Sequence, residues 1–229
     1  MPNGTMYIGI VREPFSHFRS FIRFLQPKYV LGIPGQNLVL EYLSRKVKKM
    51  SSTGRFDTLC YFMAFYLGFP KNLRLKDGYK IQNYLLKLDK ELDIVLVVEF
   101  LDESIVLMRR ILNWDLRYVL YGKLRVNKVE NNLLKFGTNE ENIHKRCAYL
   151  NNRLYNFFVH KLKQKIESQS PDFYDELTYF RKTRMKYNNF CLSAISEDHN
   201  NPEVVFEGTA WNKPFVITKK HCESYIFTM

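Results

Sequence analysis

The sequence predicts an α/β fold, in which strands are followed directly by helices. Two apolar runs, residues 6–11 and 94–100, each lead into a segment whose apolar residues recur with helical spacing. The second run is rich in Val and Ile, which is typical of a strand buried on both faces of a parallel sheet. The chain has no internal repeat and no low-complexity linker, so we expect a single domain over residues 1–229.

The first strand–helix pair is the most informative part of the chain. The apolar run ends at Val11, and Arg12 and Glu13 precede Pro14, which suits the first position of a helix because it needs no free N–H there. The expected buried face of this helix consists of Phe15, Phe18, Ile22 and Leu25. The other face carries Ser16, Arg19, Ser20 and Arg23. A short amphipathic helix is therefore predicted to follow the strand at once.

The remaining elements are predicted to be mostly helical. Helices are expected over residues 38–50, 58–69, 79–88, 138–167 and 170–187, with another directly after the second strand. Thr138 and Glu141 suggest a capping box at the start of the longest helix. His144 and His160 lie off the apolar stripe of that helix and are expected at the surface. The tail from Ser193 is rich in turn residues and shows little pattern.

The charge balance predicts anionic partners. Lys and Arg total 35 against 23 Asp and Glu, which gives a formal net charge of +12. A nucleotide, a sulfated or phosphorylated substrate, a nucleic acid and an acidic membrane surface would all fit this imbalance. No apolar run of about 18 residues or more occurs, so no segment is expected to span a bilayer, and no signal peptide is recognised.

The four cysteines are widely spaced and form no CxxC pair. They permit three disulfide pairings, among which the sequence cannot choose. Buried free thiols are slightly favoured, although an origin in an oxidising compartment would favour a disulfide. No zinc or calcium ligand spacing occurs, and no metal is expected.

Arg12, at the junction of the strand and the first helix, suggests a phosphate site. The free N–H groups and the positive end of a helix favour an anion, and an Arg can bind a phosphate with two parallel hydrogen bonds. The alternative is an ordinary buried strand followed by a surface helix with solvated arginines. Short motifs of this kind often arise by chance.

Five segments in the same order carry a resemblance to a known family. They are residues 11–20 (VREPFSHFRS), 61–69 (YFMAFYLGF), 92–104 (LDIVLVVEFLDES), 119–124 (VLYGKL) and 152–158 (NRLYNFF). Together they resemble the galactose-3-O-sulfotransferase family, which includes galactosylceramide sulfotransferase. The core of the likeness covers residues 8–158, the C-terminal helices and tail occupy 159–229, and little likeness remains beyond about residue 190.

The resemblance implies a function and a site. The family moves sulfate from 3′-phosphoadenosine 5′-phosphosulfate (PAPS) to the 3-hydroxyl of a galactose on a glycolipid or glycan, in the Golgi lumen. The implied fold is the P-loop-NTPase-like sulfotransferase fold, a parallel sheet flanked by helices. The Arg-x7-Ser spacing implies that Arg12 and Ser20 contact the 3′-phosphate of PAPS. The first strand and the phosphosulfate loop of that fold are not recognised, so we expect an N-terminally truncated chain with little activity of its own.

The catalytic residues cannot be assigned from the sequence. The only Gly-x-x-Lys that invites comparison with a phosphosulfate loop, residues 68–71, lies after Arg12 rather than before it and contains a proline. His17 adjoins the expected phosphate helix but is more simply a packed or solvated histidine. Glu99, at the end of the second strand, is the best carboxylate candidate for a cleft, although a structural pairing with an Arg explains it equally well.

Two further functions remain open. The basic faces and the charge of +12 would also suit a non-enzymatic module that binds nucleic acid or another polyanion, although no recognised nucleic-acid-binding signature occurs. A family member retained only for interactions with partners would bind neither PAPS nor polyanions. The acceptor and the oligomeric state cannot be inferred from the sequence.

Overall fold

The computed structural model describes residues 4–24, 37–53, 60–70, 73–74, 76–122, 134–196 and 202–222. The chain divides into two compact units. The first unit comprises Met1–Glu99 and Val129–Lys163, and the second comprises Phe100–Lys128 and Gln164–Met229. Each unit is described by itself, and the expectation of a single domain stays a prediction.

In the described part of the chain, four helices separate the first two strands. In order they are β1 (Ile8–Val11), α1 (Pro14–Phe24), α2 (Leu38–Thr53), α3 (Phe62–Tyr66), α4 (Gly78–Glu91), β2 (Ile94–Val97), α5 (Leu101–Leu112), α6 (Thr138–Cys147), α7 (Tyr149–Glu167), α8 (Phe173–Ser196), β3 (Glu203–Phe206) and β4 (Phe215–Thr218). Three short 3₁₀ turns lie at Val98–Phe100, Leu116–Tyr118 and Lys219–Cys222. The predicted α/β class is confirmed as a mixed fold that is mostly helical.

The two predicted strands pair in parallel, with Ile8 opposite Ile94 and Val11 opposite Val97. Three of the four residues of β2 are buried, as its apolar composition indicates. In β1 the burial alternates, so that Val11 is buried and Ile10 is 57% exposed. The parallel register brings the carboxyl ends of both strands to the same edge, which is where ligands bind in open α/β sheets.

The core of the first unit forms between α1, α2 and α6. The predicted apolar face of α1 is buried at Phe15, Phe18 and Ile22, while Leu25 lies outside the described residues. These side chains pack against Leu38, Val39, Tyr42 and Leu43 of α2. The periodicity that predicted an amphipathic helix therefore also gave its buried face.

The helix predicted over 138–167 is interrupted at Ala148, between α6 and α7. Its N-terminus also differs from the expected Thr138–Glu141 box, because the Glu140 carboxylate accepts a hydrogen bond from the Gly137 N–H at 2.8 Å. The other oxygen of Glu140 accepts from the Asn37 side chain at 2.9 Å, and Asn37 in turn caps α2 through the Leu40 N–H. One buried carboxylate thus joins the starts of two helices.

The second unit contains α5, α8 and a hairpin that the sequence pattern did not predict. Strands β3 and β4 pair antiparallel, with Phe206 opposite Phe215 and their rings stacked at 4.7 Å. Helix α8 extends to Ser196, beyond the expected end near residue 187. No helix within the described ranges is both long enough and apolar enough to cross a membrane.

The expectation of free thiols is wrong. Cys60 is bonded to Cys147 within the first unit, and Cys191 is bonded to Cys222 within the second. The bonded residues lie 87 and 31 positions apart in the chain, so only the tertiary fold brings them together. Each disulfide stabilises its unit mainly by restricting the unfolded chain.

Candidate functional site

The candidate site lies at the carboxyl ends of β1 and β2 in the first unit. Because Val11 and Val97 are opposite each other, Arg12 and Glu13 leave β1 at the same edge where Val98 and Glu99 leave β2. The Glu13 N–H donates to the Glu99 carboxylate at 3.0 Å, which ties the two strand ends together. The parallel pairing thus assembles residues that are 86 positions apart in the sequence.

Arg12 provides a positive charge at the edge where β1 and β2 end. Its backbone N–H donates to the Met63 sulfur at 3.4 Å, which fixes the residue against α3. Within the described ranges its buried Nε has no hydrogen-bond partner, and its guanidinium forms no ion pair. A guanidinium held by its backbone but unpaired at its head can bind an anionic ligand.

The expectation of free amides at the start of α1 is wrong. The Glu13 carboxylate accepts from the N–H groups of Phe15 and Ser16, at 2.9 and 2.6 Å. Glu13 therefore caps its own helix and occupies the donors that the sequence suggested for a phosphate. An anion at this edge would have to be bound by side chains.

Ser20 lies in the second turn of α1, six residues after Pro14. With 3.6 residues per turn, it falls on the face opposite the buried Phe18 and Ile22. Neighbouring Arg19 turns back onto its own helix, where it donates to the Ser16 hydroxyl at 3.2 Å and lies over the Phe15 ring. Ser20, by contrast, makes no hydrogen bond through its side chain to any described residue.

Glu99 has a structural partner that the sequence did not indicate. Besides the Glu13 N–H, its carboxylate accepts a hydrogen bond from the Tyr155 hydroxyl of α7. Burial raises the pKa of Tyr155 to about 12, and the negative charge of Glu99 and this hydrogen bond act in the same direction. Tyr155 thus remains a neutral donor. The pairing of Glu99 with an Arg, which the sequence left open, does not occur among the described residues.

Two histidines lie beside this edge, and both are held neutral. Burial, and then the positive charge of Arg12, lower the pKa of His17. His144 was expected at the surface but is only 1% exposed, with its ring 4.7 Å from that of Phe18. Burial lowers the pKa of His144 to about 4. His160 is exposed, as predicted.

The described part of the chain has no group of three or more His, Cys, Asp or Glu side chains that could hold a metal ion. The described part of the loop at residues 68–71 packs against α4 rather than forming a phosphate-binding loop. Gly68 has a positive φ of 76° and lies against the Tyr84 hydroxyl, while Lys71 lies outside the described residues.

The chain is similar to carbohydrate sulfotransferases. It is 29% identical over 137 residues to galactose-3-O-sulfotransferase 3 of Bos taurus, an alignment that covers 58% of this chain and 32% of that protein. It is 27% identical over 198 residues to galactose-3-O-sulfotransferase 2 of Homo sapiens, covering 84% and 48%. The galactosylceramide sulfotransferase of Homo sapiens is 26% identical over 131 residues, covering 56% and 31%.

These alignments set the scope of the comparison. The chain spans about a third to a half of the length of the curated relatives it matches. No solved structure matches it significantly. The family model for galactose-3-O-sulfotransferase matches residues 1–204 of the 229, a range that includes Arg12, Ser20 and Glu99. This chain therefore belongs to the galactose-3-O-sulfotransferase family.

Proposed function

We propose that the chain is part of a galactose 3-O-sulfotransferase and binds the 3′-phosphate of PAPS through Arg12 and Ser20. The observation that carries the proposal is the unpaired guanidinium of Arg12 at the common carboxyl edge of two parallel strands. Ser20, on the solvent-facing side of the helix that follows, offers a hydroxyl to the same ligand. PAPS supplies the sulfate, and these residues of the chain hold the nucleotide.

The surrounding charges support this role for Arg12. Glu13 and Glu99 are the nearest carboxylates in sequence and pairing, but their oxygens accept hydrogen bonds from backbone amides and from Tyr155. His17 is neutral because of burial and of Arg12 itself. The positive charge of Arg12 therefore remains available to a phosphate.

Membership of the family supports a proposal for the acceptor and for the fold. We infer that the acceptor carries a terminal galactose, on a glycolipid such as galactosylceramide or on a glycan, because relatives bear both kinds of name. The parallel β1–β2 pair with its following helices suits the P-loop-NTPase-like sulfotransferase fold.

A compartment in the Golgi lumen is consistent with the cysteine chemistry. Both disulfides join cysteines that are fully buried, and such bonds persist in oxidising compartments but are rare in the cytosol. We therefore propose that the protein acts on the lumenal side of the Golgi membrane.

The test is a titration of the purified chain with adenosine 3′,5′-bisphosphate, followed by thermal unfolding. At about 100 times its Kd, a ligand adds about 2.7 kcal/mol to the folded state, roughly 5–10 °C in Tm for a chain of this size. Arg12→Ala removes a charged hydrogen bond worth about 1.5–3 kcal/mol and should cut the shift to less than half. Ser20→Ala should weaken binding by a smaller factor.

Arg45→Ala is the matched control, because it removes the same charge from an exposed residue of α2 that pairs with Glu41 at 3.9 Å. It should leave the shift unchanged. If Arg12→Ala and Arg45→Ala weaken binding equally, with a steep dependence on salt, the chain is instead a diffuse polyanion binder. The family match makes that alternative less favoured.

A further inference from the structure

The second unit contains a pocket of about 440 Å³ that includes both tryptophans of the chain. One wall is formed by the end of α5 and the residues after it, from Arg109 to Asp115. The other wall is the loop between β3 and β4, residues 209–213. The first wall lies within the family match, and the second lies beyond residue 204, where that match ends.

The first wall is fixed by the way α5 ends. Asn113 adopts the left-handed conformation, with a φ of 51°. The Trp114 N–H donates to the Arg109 carbonyl at 3.1 Å, and the Asn113 N–H donates to the Arg110 carbonyl at 3.4 Å. This is a Schellman motif, which gives Trp114 a defined direction although its side chain is 46% exposed.

The second wall is fixed around the buried amide of Asn212. Its oxygen accepts from the hydroxyls of Tyr179 and Thr209, each at 2.7 Å, and its nitrogen donates to the Glu207 and Lys213 carbonyls. The Trp211 ring lies against the Tyr179 ring, with 5.2 Å between centroids. The loop therefore presents Trp211 in one preorganised arrangement.

The pocket is close to neutral. Arg109 donates to the buried Glu176 carboxylate and to the Trp211 carbonyl, so its charge is already paired. Asp115 and Lys213 contribute one charge of each sign at the rim. Because the negative charge of Asp115 balances that of Lys213 and Arg109 is paired with Glu176, the described lining has no net positive charge that would favour a phosphate or sulfate group.

We propose that this pocket binds a neutral hexopyranose. The flat face of an indole matches the apolar C–H face of a pyranose ring, and the Asn113, Asp115 and Lys213 side chains can exchange hydrogen bonds with its hydroxyls. The pocket and its ligand class rest on the geometry of the second unit alone. Only the identification of the sugar as part of a galactose-bearing acceptor rests on the proposed function.

Intrinsic tryptophan fluorescence tests the proposal directly, because both tryptophans line this pocket. Methyl β-galactoside should change the emission of the full chain in a saturable way, with a Kd in the range of about 1–10 mM, which is typical of weak binding at an open site. Trp114→Ala should weaken binding at least about tenfold, measured by saturation-transfer NMR on the sugar. Tyr174→Ala, which removes an exposed aromatic ring outside the pocket, is the control and should leave binding unchanged.

Other ligands decide between the remaining outcomes. Adenosine 3′,5′-bisphosphate should not change the emission, and Arg12→Ala should leave sugar binding intact. A saturable change with the nucleotide that the galactoside competes away would overturn the assignment, as would no change with any hexopyranoside up to about 50 mM. If Trp114→Ala fails to fold, the Trp114→Phe variant and the titrations of the wild-type chain still test whether the pocket binds a hexopyranose. Loss of nucleotide binding with sugar binding retained would refute the proposed function alone.

Discussion

Replacing Glu176 by alanine should destabilise the second unit by about 3 kcal/mol or more. The Glu176 side chain is 2% exposed and bonds to Arg109 through one oxygen and to Arg110 through the other, the latter at 2.6 Å. Both arginines are themselves largely buried. Arg110 keeps a second partner, Asp172, at 3.2 Å, so the loss falls mainly on Arg109, which is left charged and buried without a carboxylate. Breaking a buried pair in this way costs about 3–5 kcal/mol.

Urea unfolding followed by tryptophan emission measures this cost, because Trp114 and Trp211 report on the second unit. Arg181→Ala is the control within the second unit, since the Arg181 side chain is 49% exposed and its pair with Glu103 should be worth less than about 1 kcal/mol. A cost below about 1 kcal/mol for Glu176→Ala would refute the reasoning, because it would mean that Arg109 reaches water or another partner when the carboxylate is absent.

Two further predictions concern the first unit. The pKa of His144 falls from 6.5 to about 4 on folding, so between these pH values the unfolded chain binds a proton that the folded chain does not. The free energy of unfolding should therefore decrease by about 3 kcal/mol as the pH falls from above 6.5 to about 4. Urea unfolding at several pH values should show that His144→Leu loses this pH dependence and that the exposed control His160→Leu keeps it. An unchanged pH dependence in His144→Leu would contradict its assignment to this histidine. Cys60→Ser opens the Cys60–Cys147 link, which spans 87 positions, and should cost about 4–5 kcal/mol by chain entropy. Equal urea midpoints for this variant and the wild type under non-reducing conditions would show that the bond does not form.

Local periodicity accounts for the parts of the fold that were predicted correctly. Strands β1 and β2 follow from short continuous apolar runs, and helix α1 with its buried Phe15 and Phe18 follows from apolar residues that recur at helical spacing. These features depend on neighbours in sequence. Their prediction therefore needed no knowledge of what they pack against.

The buried face of α6 and α7 shows why other features were missed. The buried residues recur at helical spacing and include the polar side chains of Glu140, His144 and Asn151. The others are Cys147, Leu150, Leu154, Phe158 and Leu162. Asn151 is buried because its amide binds the Ala64 N–H and the Cys60 carbonyl. A hydrophobicity pattern skips such positions, and so His144 was assigned to the surface. The disulfide pairing and the β3–β4 hairpin likewise depend on contacts between distant residues.

The candidate site divides in the same way. The motif around Arg12 and Ser20, and the position of Glu99 at a strand end, could be found from the sequence. The capping role of Glu13 could not be distinguished from a free helix end, because both give the same residue pattern. Tyr155 could not be assigned at all, since its contact with Glu99 exists only in the folded unit. The sequence pointed to Tyr155 only through its place in residues 152–158, one of the segments that resemble the family.

The overall charge of +12 does not explain how the edge of the first unit would bind an anion. Locally, one guanidinium stands with two carboxylates, so simple counting would predict repulsion of a phosphate. The hydrogen bonds weaken this repulsion without removing the two negative charges, because the Glu13 and Glu99 oxygens accept from backbone amides and Tyr155, whereas the buried Nε of Arg12 is left without a partner among the described residues. The carboxylates fix the backbone from which Arg12 projects. Binding at this edge would therefore depend on which charges are already paired, and an arginine at the surface such as Arg45 could not replace Arg12.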